Sequence, residues 1–213
     1  MRTLWRDEIP QTTNPLRFFL FVSRPHLRMA LIATAFVVIA SVMRAFIPYL
    51  YKVIVDQVTA LSQGQYMTLW FAVTAFVFVG LLSNLSWRAS GFAGMRWATG
   101  VRATGRSALI SYLTLHSHQY FSERFAGSLS NKAKQAGDSV MSFVESYLWQ
   151  FLSFFVSVVA SFIVVFTTNS IVGFILLAMF LVMTPLNIFL ARGRVPLSVA
   201  TQEIETKLNG ASV

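Results

Sequence analysis

Apolar residues dominate the second half of the chain and define its first predicted element. Residues 146–191 include no Asp, Glu, Lys or Arg. That length exceeds one helical bilayer crossing, which takes about 20 residues, and is sufficient for two. A polar cluster at 167–170 divides the stretch into 146–166 and 171–191. Neither half carries the polar stripe of a soluble core helix, so the pattern predicts a transmembrane helical hairpin with a very tight turn.

The first half of the chain contains two more apolar stretches, 29–51 and 67–87, which predict two further spans. Residues 53–58 are expected to extend the first helix beyond the lipid. Beyond Arg88 the helical character continues to about Leu115. A continuous helix from Met67 would be about 70 Å long, against a bilayer core of about 30 Å. The sequence therefore predicts a stalk that projects into water and returns through a helix that restarts near residue 138.

Glycine recurs along the predicted stalk helix, at positions 91, 94, 100 and 105. Each glycine weakens the helix prediction by about 1 kcal/mol relative to Ala. Glycines at such spacing permit close helix packing or a bend. The run follows a transmembrane helix and not a strand, so it does not predict a dinucleotide-binding loop.

The N-terminal segment, residues 1–28, is predicted to be cytoplasmic. Asn14 followed by Pro15 is typical of a helix start, with Asn as the N-cap and Pro in the first turn. Residues 15–23 combine apolar side chains with Arg17, and Arg24 follows on the same face. Such a helix lies in the membrane interface, or it is the frayed start of the first span. Pro25 is expected to end it.

Composition and charge support a membrane protein. The chain is 55% hydrophobic with a mean hydropathy of +0.62, and its 12% charged residues are about half the soluble average. The net charge is +9, and the basic residues lie beside the apolar spans. This distribution argues against a nucleic-acid-binding protein and follows the positive-inside pattern of membrane proteins. Both termini and the 88–145 excursion are predicted to be cytoplasmic, in the plasma membrane, or the inner membrane of a bacterium.

Arg44 interrupts the first span. An arginine near the middle of a transmembrane helix costs about 2.5–3.5 kcal/mol on insertion scales, so it usually faces a cavity or a partner helix. Arg44 is therefore a candidate for a translocation path. The alternative is that its long side chain reaches the outer interface.

Catalytic and metal-binding patterns do not emerge. His116 and His118 are two residues apart and diverge on a helix, so the histidines do not predict a metal site. The sequence has no cysteine and no phosphate-binding loop of the Gly-x-x-x-x-Gly-Lys-Ser/Thr type. It predicts no catalytic site and no cofactor within this chain.

The order of motifs around the tip of the excursion resembles the transmembrane domain of ATP-binding-cassette (ABC) exporters of the type 1 fold. The similar segments are Arg24-Pro25-His26, Pro48-Tyr49-Leu50, Ile54-Val55-Asp56, Gly105-Arg106-Ser107-Ala108-Leu109, Leu113, Tyr120-Phe121, Gly127-Ser128-Leu129, Lys132 and Asp138-Ser139-Val140. The resemblance covers about residues 15–209. It implies an all-α membrane protein in which residues 29–213 form four of the family's six long helices, with cytoplasmic extensions.

By this resemblance, a short coupling helix at 122–129 docks into an ATP-hydrolysing domain. Its expected contacts are Glu123, Arg124, Phe125, Gly127, Ser128 and Leu129. A plain stalk turn is the alternative. The resemblance also implies membrane lipid and a second transporter half as partners, in a homodimer or heterodimer. ATP and Mg²⁺ are implied only for the nucleotide-binding domain, which this chain lacks.

The chain departs from the family pattern at three positions near the tip: Ser128 and Ala136 replace aspartate, and Ala126 replaces threonine. Four helices instead of six predict a fragment of a longer protein, with a shortened relative as the alternative. Two other functions fit the topology. One is a non-transporting adaptor or regulator that binds a cytosolic partner with its stalk. The other is an ion-coupled carrier built around Arg44, disfavoured because the spans lack acidic partners.

Overall fold

The computed structural model describes residues 14–59, 66–114 and 126–211, with side chains for all of these except 126–130 and 192–211. Every regular element in these ranges is helical. The helices are α1 (Pro15–Ser23), α2 (Leu27–Thr59), α3 (Tyr66–Leu113), α4 (Ala126–Glu145), α5 (Ser153–Thr168) and α6 (Ser170–Ala211). A 3-10 turn, Arg24–His26, joins α1 to α2, and a π-helical segment, Ser146–Leu152, joins α4 to α5.

Four helical stretches in the described ranges are long and apolar enough to cross a membrane: Pro15–Thr59, Tyr66–Leu113, Asn131–Thr168 and Ser170–Ala191. This confirms the predicted all-α class with four long apolar helices. Large apolar side chains are exposed along them, among them Leu31 at 69%, Phe71 at 77% and Phe78 at 64%. Such surface is typical of contact with lipid or with partner helices.

The helix starts follow from local capping. Asn14 Oδ1 accepts a hydrogen bond of 3.0 Å from the backbone N–H of Leu16, and Pro15 occupies the first turn. These contacts satisfy an otherwise free donor at the start of α1. The helix ends at Ser23, just before Pro25, and the 3-10 turn replaces a regular turn there. Beyond the bilayer length, α2 continues to Thr59, as the sequence predicted for 53–58.

The chain divides into two compact units, residues 1–161 and 162–213. In the first, α2 and α3 are antiparallel: Ser83 Oγ donates to the carbonyl of Ala40 at 3.2 Å, while His26 lies at Thr104. The Oγ atoms of Ser41 and Ser153 lie 3.4 Å apart, which brings α5 beside α2. Small buried residues allow these close approaches; they are Ala30, Ala33, Ala40, Ser83, Ser86, Ser90 and Ala93.

The second unit contains the end of α5 and the whole of α6. Asn169 is the single residue between them, and its Oδ1 accepts from the backbone N–H groups of Ile171 and Val172 at 3.0 and 3.3 Å. The rings of Phe166 and Phe174 meet edge to face, 5.3 Å between centroids. Gly173 leaves room for this contact, because a Cβ there would lie 2.7 Å from Phe166 Cδ1. The predicted tight turn at 167–170 is thus present.

Candidate functional site

The stalk is formed by α3 and α4, which pack side by side beyond the predicted span 67–87. Arg102 Nε and Asp138 Oδ1 form an ion pair at 2.6 Å across the two helices. Gly137 lies against α3: a Cβ there would be 2.5 Å from Arg106 Cγ and 3.3 Å from the carbonyl oxygen of Arg102. Ala133 on α4 is also buried. The two helices therefore approach closely through small residues and are paired by one charge contact.

The contacts of α3 with α4 and with the π-helical segment that follows α4 fix an antiparallel register. Gly94 lies at Leu148 and Trp149, while Arg102 lies at Asp138. Continuing the register brings the start of α4 level with the end of α3 at Leu113. From Arg88 to Leu113 the helix rises about 40 Å at 1.5 Å per residue. The end of α3 at Leu113 and the start of α4 at Ala126 are therefore far from the apolar part of α3.

Three of the predicted coupling residues, Gly127, Ser128 and Leu129, lie at this end of the stalk. Glu123, Arg124 and Phe125 lie outside the described residues, as do His116 and His118. The backbone of Gly127, Ser128 and Leu129 forms the first turn of α4. Their contact with an ATPase domain stays a prediction. The prediction of a separate short helix at 122–129 is wrong for residues 126–129, because they are continuous with α4, which begins at Ala126 and not near residue 138.

An aromatic cluster fastens α1 to the base of the stalk. Phe19 lies between Trp97 and Phe143, with centroid distances of 6.3 and 4.8 Å, and Trp97 meets Tyr147 edge to face at 6.3 Å. Aromatic pairs in such geometry contribute about 0.5–1.5 kcal/mol beyond burial. Trp97 is 5% exposed. The cluster joins α1, α3 and α4 at a buried hydrophobic core that includes Trp97 and against which Phe19 packs.

His26 provides a second link between the N-terminal segment and α3. Its Nε2 lies 3.0 Å from Thr104 Oγ1, at hydrogen-bond distance. The imidazole ring packs on Gly100, where a Cβ would lie only 2.5 Å from Cε1. A glycine is therefore required at position 100 for the ring to lie this close to the helix backbone.

Sequence reasoning did not identify the aromatic cluster, the His26–Thr104 contact or the Arg102–Asp138 pair. Each joins residues that are distant along the chain. The glycines were a usable signal, because Gly94, Gly100 and Gly105 all lie against side chains of other helices. Gly91, by contrast, has no such neighbour within 4 Å.

Arg44 lies on α2 with its guanidinium carbon 5.4 Å from the centroid of the Trp87 ring on α3. Cation–π contacts of this kind contribute about 0.5–1 kcal/mol where exposed and about 2 where desolvated. Since Ser83 opposes Ala40, Trp87 lies one turn farther toward the N-terminal end of α2. The guanidinium therefore points toward the N-terminal end of α2, away from its C-terminal end at Thr59.

The backbone adds a second polar group at the same position. Pro48 lies inside α2 and has no N–H to donate to the carbonyl of Arg44 four residues earlier. The ion pairs in the described part of the chain are Lys52–Asp56 and Arg102–Asp138, so Arg44 has no carboxylate partner there. Its assignment to a translocation path stays a prediction.

Comparison with known proteins agrees with this architecture. The family model described as the ABC transporter transmembrane region matches residues 30–209. A search of curated proteins finds no match, and neither does a search of solved structures. The family match covers most of the chain and includes both the apolar helices and the stalk. The chain therefore belongs to the ABC transporter transmembrane region family, as part of a multi-pass membrane protein.

Proposed function

We propose that this chain is the membrane-spanning part of an ABC exporter, driven by an ATPase domain that docks at the stalk tip between α3 and α4. The observation that supports this is the stalk itself, whose two helices are packed together and ion-paired outside the predicted spans. A force applied near Gly127 would be transmitted along α3 and α4 as a rigid body. Transporters of the alternating-access type use such motions to open one side of the membrane and close the other.

The base of the stalk supports the same role. Phe19 and His26 connect the stalk to α1 and to the start of α2. Movement of the stalk would therefore be shared by at least three helices. Outward transport, cytoplasmic termini and a second transporter half are further parts of the proposal. They rest on the family resemblance and on the positive-inside charge pattern.

Arg44 is proposed to face the translocation path. Inserting an arginine near the middle of a membrane span costs about 2.5–3.5 kcal/mol, and a polar surrounding lowers that cost. The contact with Trp87 covers one side of the guanidinium. The free carbonyl that Pro48 leaves at Arg44 also needs a donor, such as water in a cavity.

Docking is testable by co-purification from native membranes. The tagged chain should retain a protein with a phosphate-binding loop, identified by mass spectrometry. Leu129→Asp and Gly127→Leu are expected to abolish that recovery, because both alter the first turn of α4. Asn131→Asp, an exposed change slightly farther from the tip, serves as the matched control. Recovery of a cytosolic partner without ATPase activity would favour an adaptor, and equal recovery with all variants would overturn docking at the tip.

A further inference from the structure

The outer face of α1 and the start of α2 carries three arginines beside a row of leucines. Arg17, Arg24 and Arg28 are exposed. Within the described part of the chain they make no ion pair or hydrogen bond through their side chains. Residues 9–55 include no Asp or Glu, so this segment supplies no carboxylate for them. The three positive charges therefore face outward together, and their own segment does not neutralise them.

The leucines form an apolar row along the same exposed surface. Leu16, Leu20, Leu27 and Leu31 are between 53% and 69% exposed. The spacings from 16 to 20 and from 27 to 31 are each one helical turn, so each pair lies on one face. Exposed leucines beside arginines are the pattern of a helix that lies in the headgroup region, with apolar side chains in the acyl boundary.

The opposite face of the segment is already occupied by the protein. Val22 is fully buried, Phe19 belongs to the aromatic cluster, and His26 contacts Thr104. These contacts hold α1 against α3 and leave the leucine and arginine side turned away from the described core. Directly after Arg28, the uncharged stretch 29–43 of α2 begins. The basic face therefore lies at the boundary between a spanning helix and water.

We propose that Arg17, Arg24 and Arg28 bind the phosphate groups of anionic phospholipids while the adjacent leucines insert among the acyl chains. Guanidinium groups form bidentate, charge-assisted hydrogen bonds with phosphate oxygens. An anionic leaflet favours each nearby arginine by about fivefold in affinity, and three by on the order of a hundredfold at low ionic strength. The leucines select a lipid rather than a soluble phosphate. Because α1 is fastened to the stalk, the bound lipids would also hold the stalk base in place.

Lipid selectivity of the full chain in a neutral detergent tests this proposal. Energy transfer from tryptophan to dansyl-labelled phosphatidylglycerol or phosphatidylcholine gives the half-saturating mole fraction of each lipid. The native chain should prefer phosphatidylglycerol by at least tenfold at low salt. Replacing all three arginines by Gln should remove that preference, whereas replacing them by Lys should retain most of it. The double variant Leu16→Ser, Leu20→Ser should weaken the binding of both lipids without changing the ratio of their half-saturating mole fractions.

A matched control removes the same charge elsewhere. Arg96, Lys132 and Lys134 are exposed on the stalk helices, and their joint replacement by Gln should leave the phosphatidylglycerol preference unchanged. If the triple Gln variant is poorly folded by circular dichroism, Arg17→Gln and Arg24→Gln alone should each lower the preference about fivefold. The proposal is overturned if the native chain shows no preference, if the Arg17, Arg24 and Arg28 variants keep it, or if the stalk variant loses it equally.

Discussion

The packing of His26 on Gly100 predicts that the same substitution, Gly→Ala, stabilises the protein less at Gly100 than at Gly91 of the same helix. In an isolated helix, Gly→Ala stabilises by about 0.8–1 kcal/mol. At Gly91 a new methyl group would meet no side chain or foreign backbone within 4 Å, so Gly91→Ala should gain that full amount. At Gly100 the new methyl carbon would lie 2.5 Å from Cε1 and 2.6 Å from Nδ1 of His26.

The clash at Gly100 can be relieved in two ways, and both oppose the gain in helix propensity. If the His26 ring swings away, its hydrogen bond to Thr104 is lost, at about 0.5–1.5 kcal/mol. If the ring stays and α1 is displaced, overpacking costs about 1–3 kcal/mol. Gly100→Ala should therefore range from about 0.5 kcal/mol stabilising to about 2 kcal/mol destabilising. The two alanine variants should differ by about 0.5–3 kcal/mol.

A double-mutant cycle isolates the cause. In a His26→Ala background the obstacle is gone, so Gly100→Ala should stabilise by about 1 kcal/mol, as Gly91→Ala does. The free energy of unfolding is measured by SDS titration in mixed micelles, followed by circular dichroism. Equal stabilisation by Gly91→Ala and Gly100→Ala in the native background, or no coupling between His26 and Gly100, would refute the packing described for the stalk base.

Three further predictions test the contacts between helices by the same unfolding measurement. Removing Arg102 and Asp138 singly and together should give a coupling of about 0.2–1 kcal/mol, since the pair is partly exposed; zero coupling with low salt would contradict the ion pair. Trp97→Ala should cost about 3–5 kcal/mol through the cavity it leaves in the core, with Trp97→Phe costing less; an Ala variant as stable as the native chain would contradict that burial. Gly173→Leu should disrupt the α5–α6 hairpin because Phe166 occupies the space, and native stability with unchanged helicity would count against that contact.

Elements governed by neighbouring residues were predictable from the sequence. Asn14 with Pro15 indicates the start of α1, and Asn169 marks the turn before α6, because caps are satisfied by backbone groups two or three residues away. The continuous α3 was predicted despite its glycines, since the apolar and basic pattern persists to its end. These features need no knowledge of which helix packs on which.

Contacts between helices were not predictable, because they depend on register. Nothing near Phe19 indicates Trp97 as its partner, and nothing near Arg102 indicates Asp138. The relative depth of two helices in the membrane was not predictable either. Ala40, the midpoint of the predicted span 29–51, lies at Ser83, six residues beyond the midpoint of the span 67–87. This is an offset of about 9 Å at 1.5 Å per residue, and hydropathy locates each span without reference to the other.

The decisive question for a stalk driven from the cytosol is which side of the membrane each end of the molecule faces. The chain contains no cysteine, so single cysteines at Thr114, at the end of α3, and at Thr168, at the α5–α6 turn, report without background. In right-side-out membrane vesicles, an impermeant maleimide should label Thr168→Cys directly and Thr114→Cys only after permeabilisation. Labelling of both positions under the same condition would place the stalk and the hairpin turn on one side and would contradict a stalk driven from the cytosol.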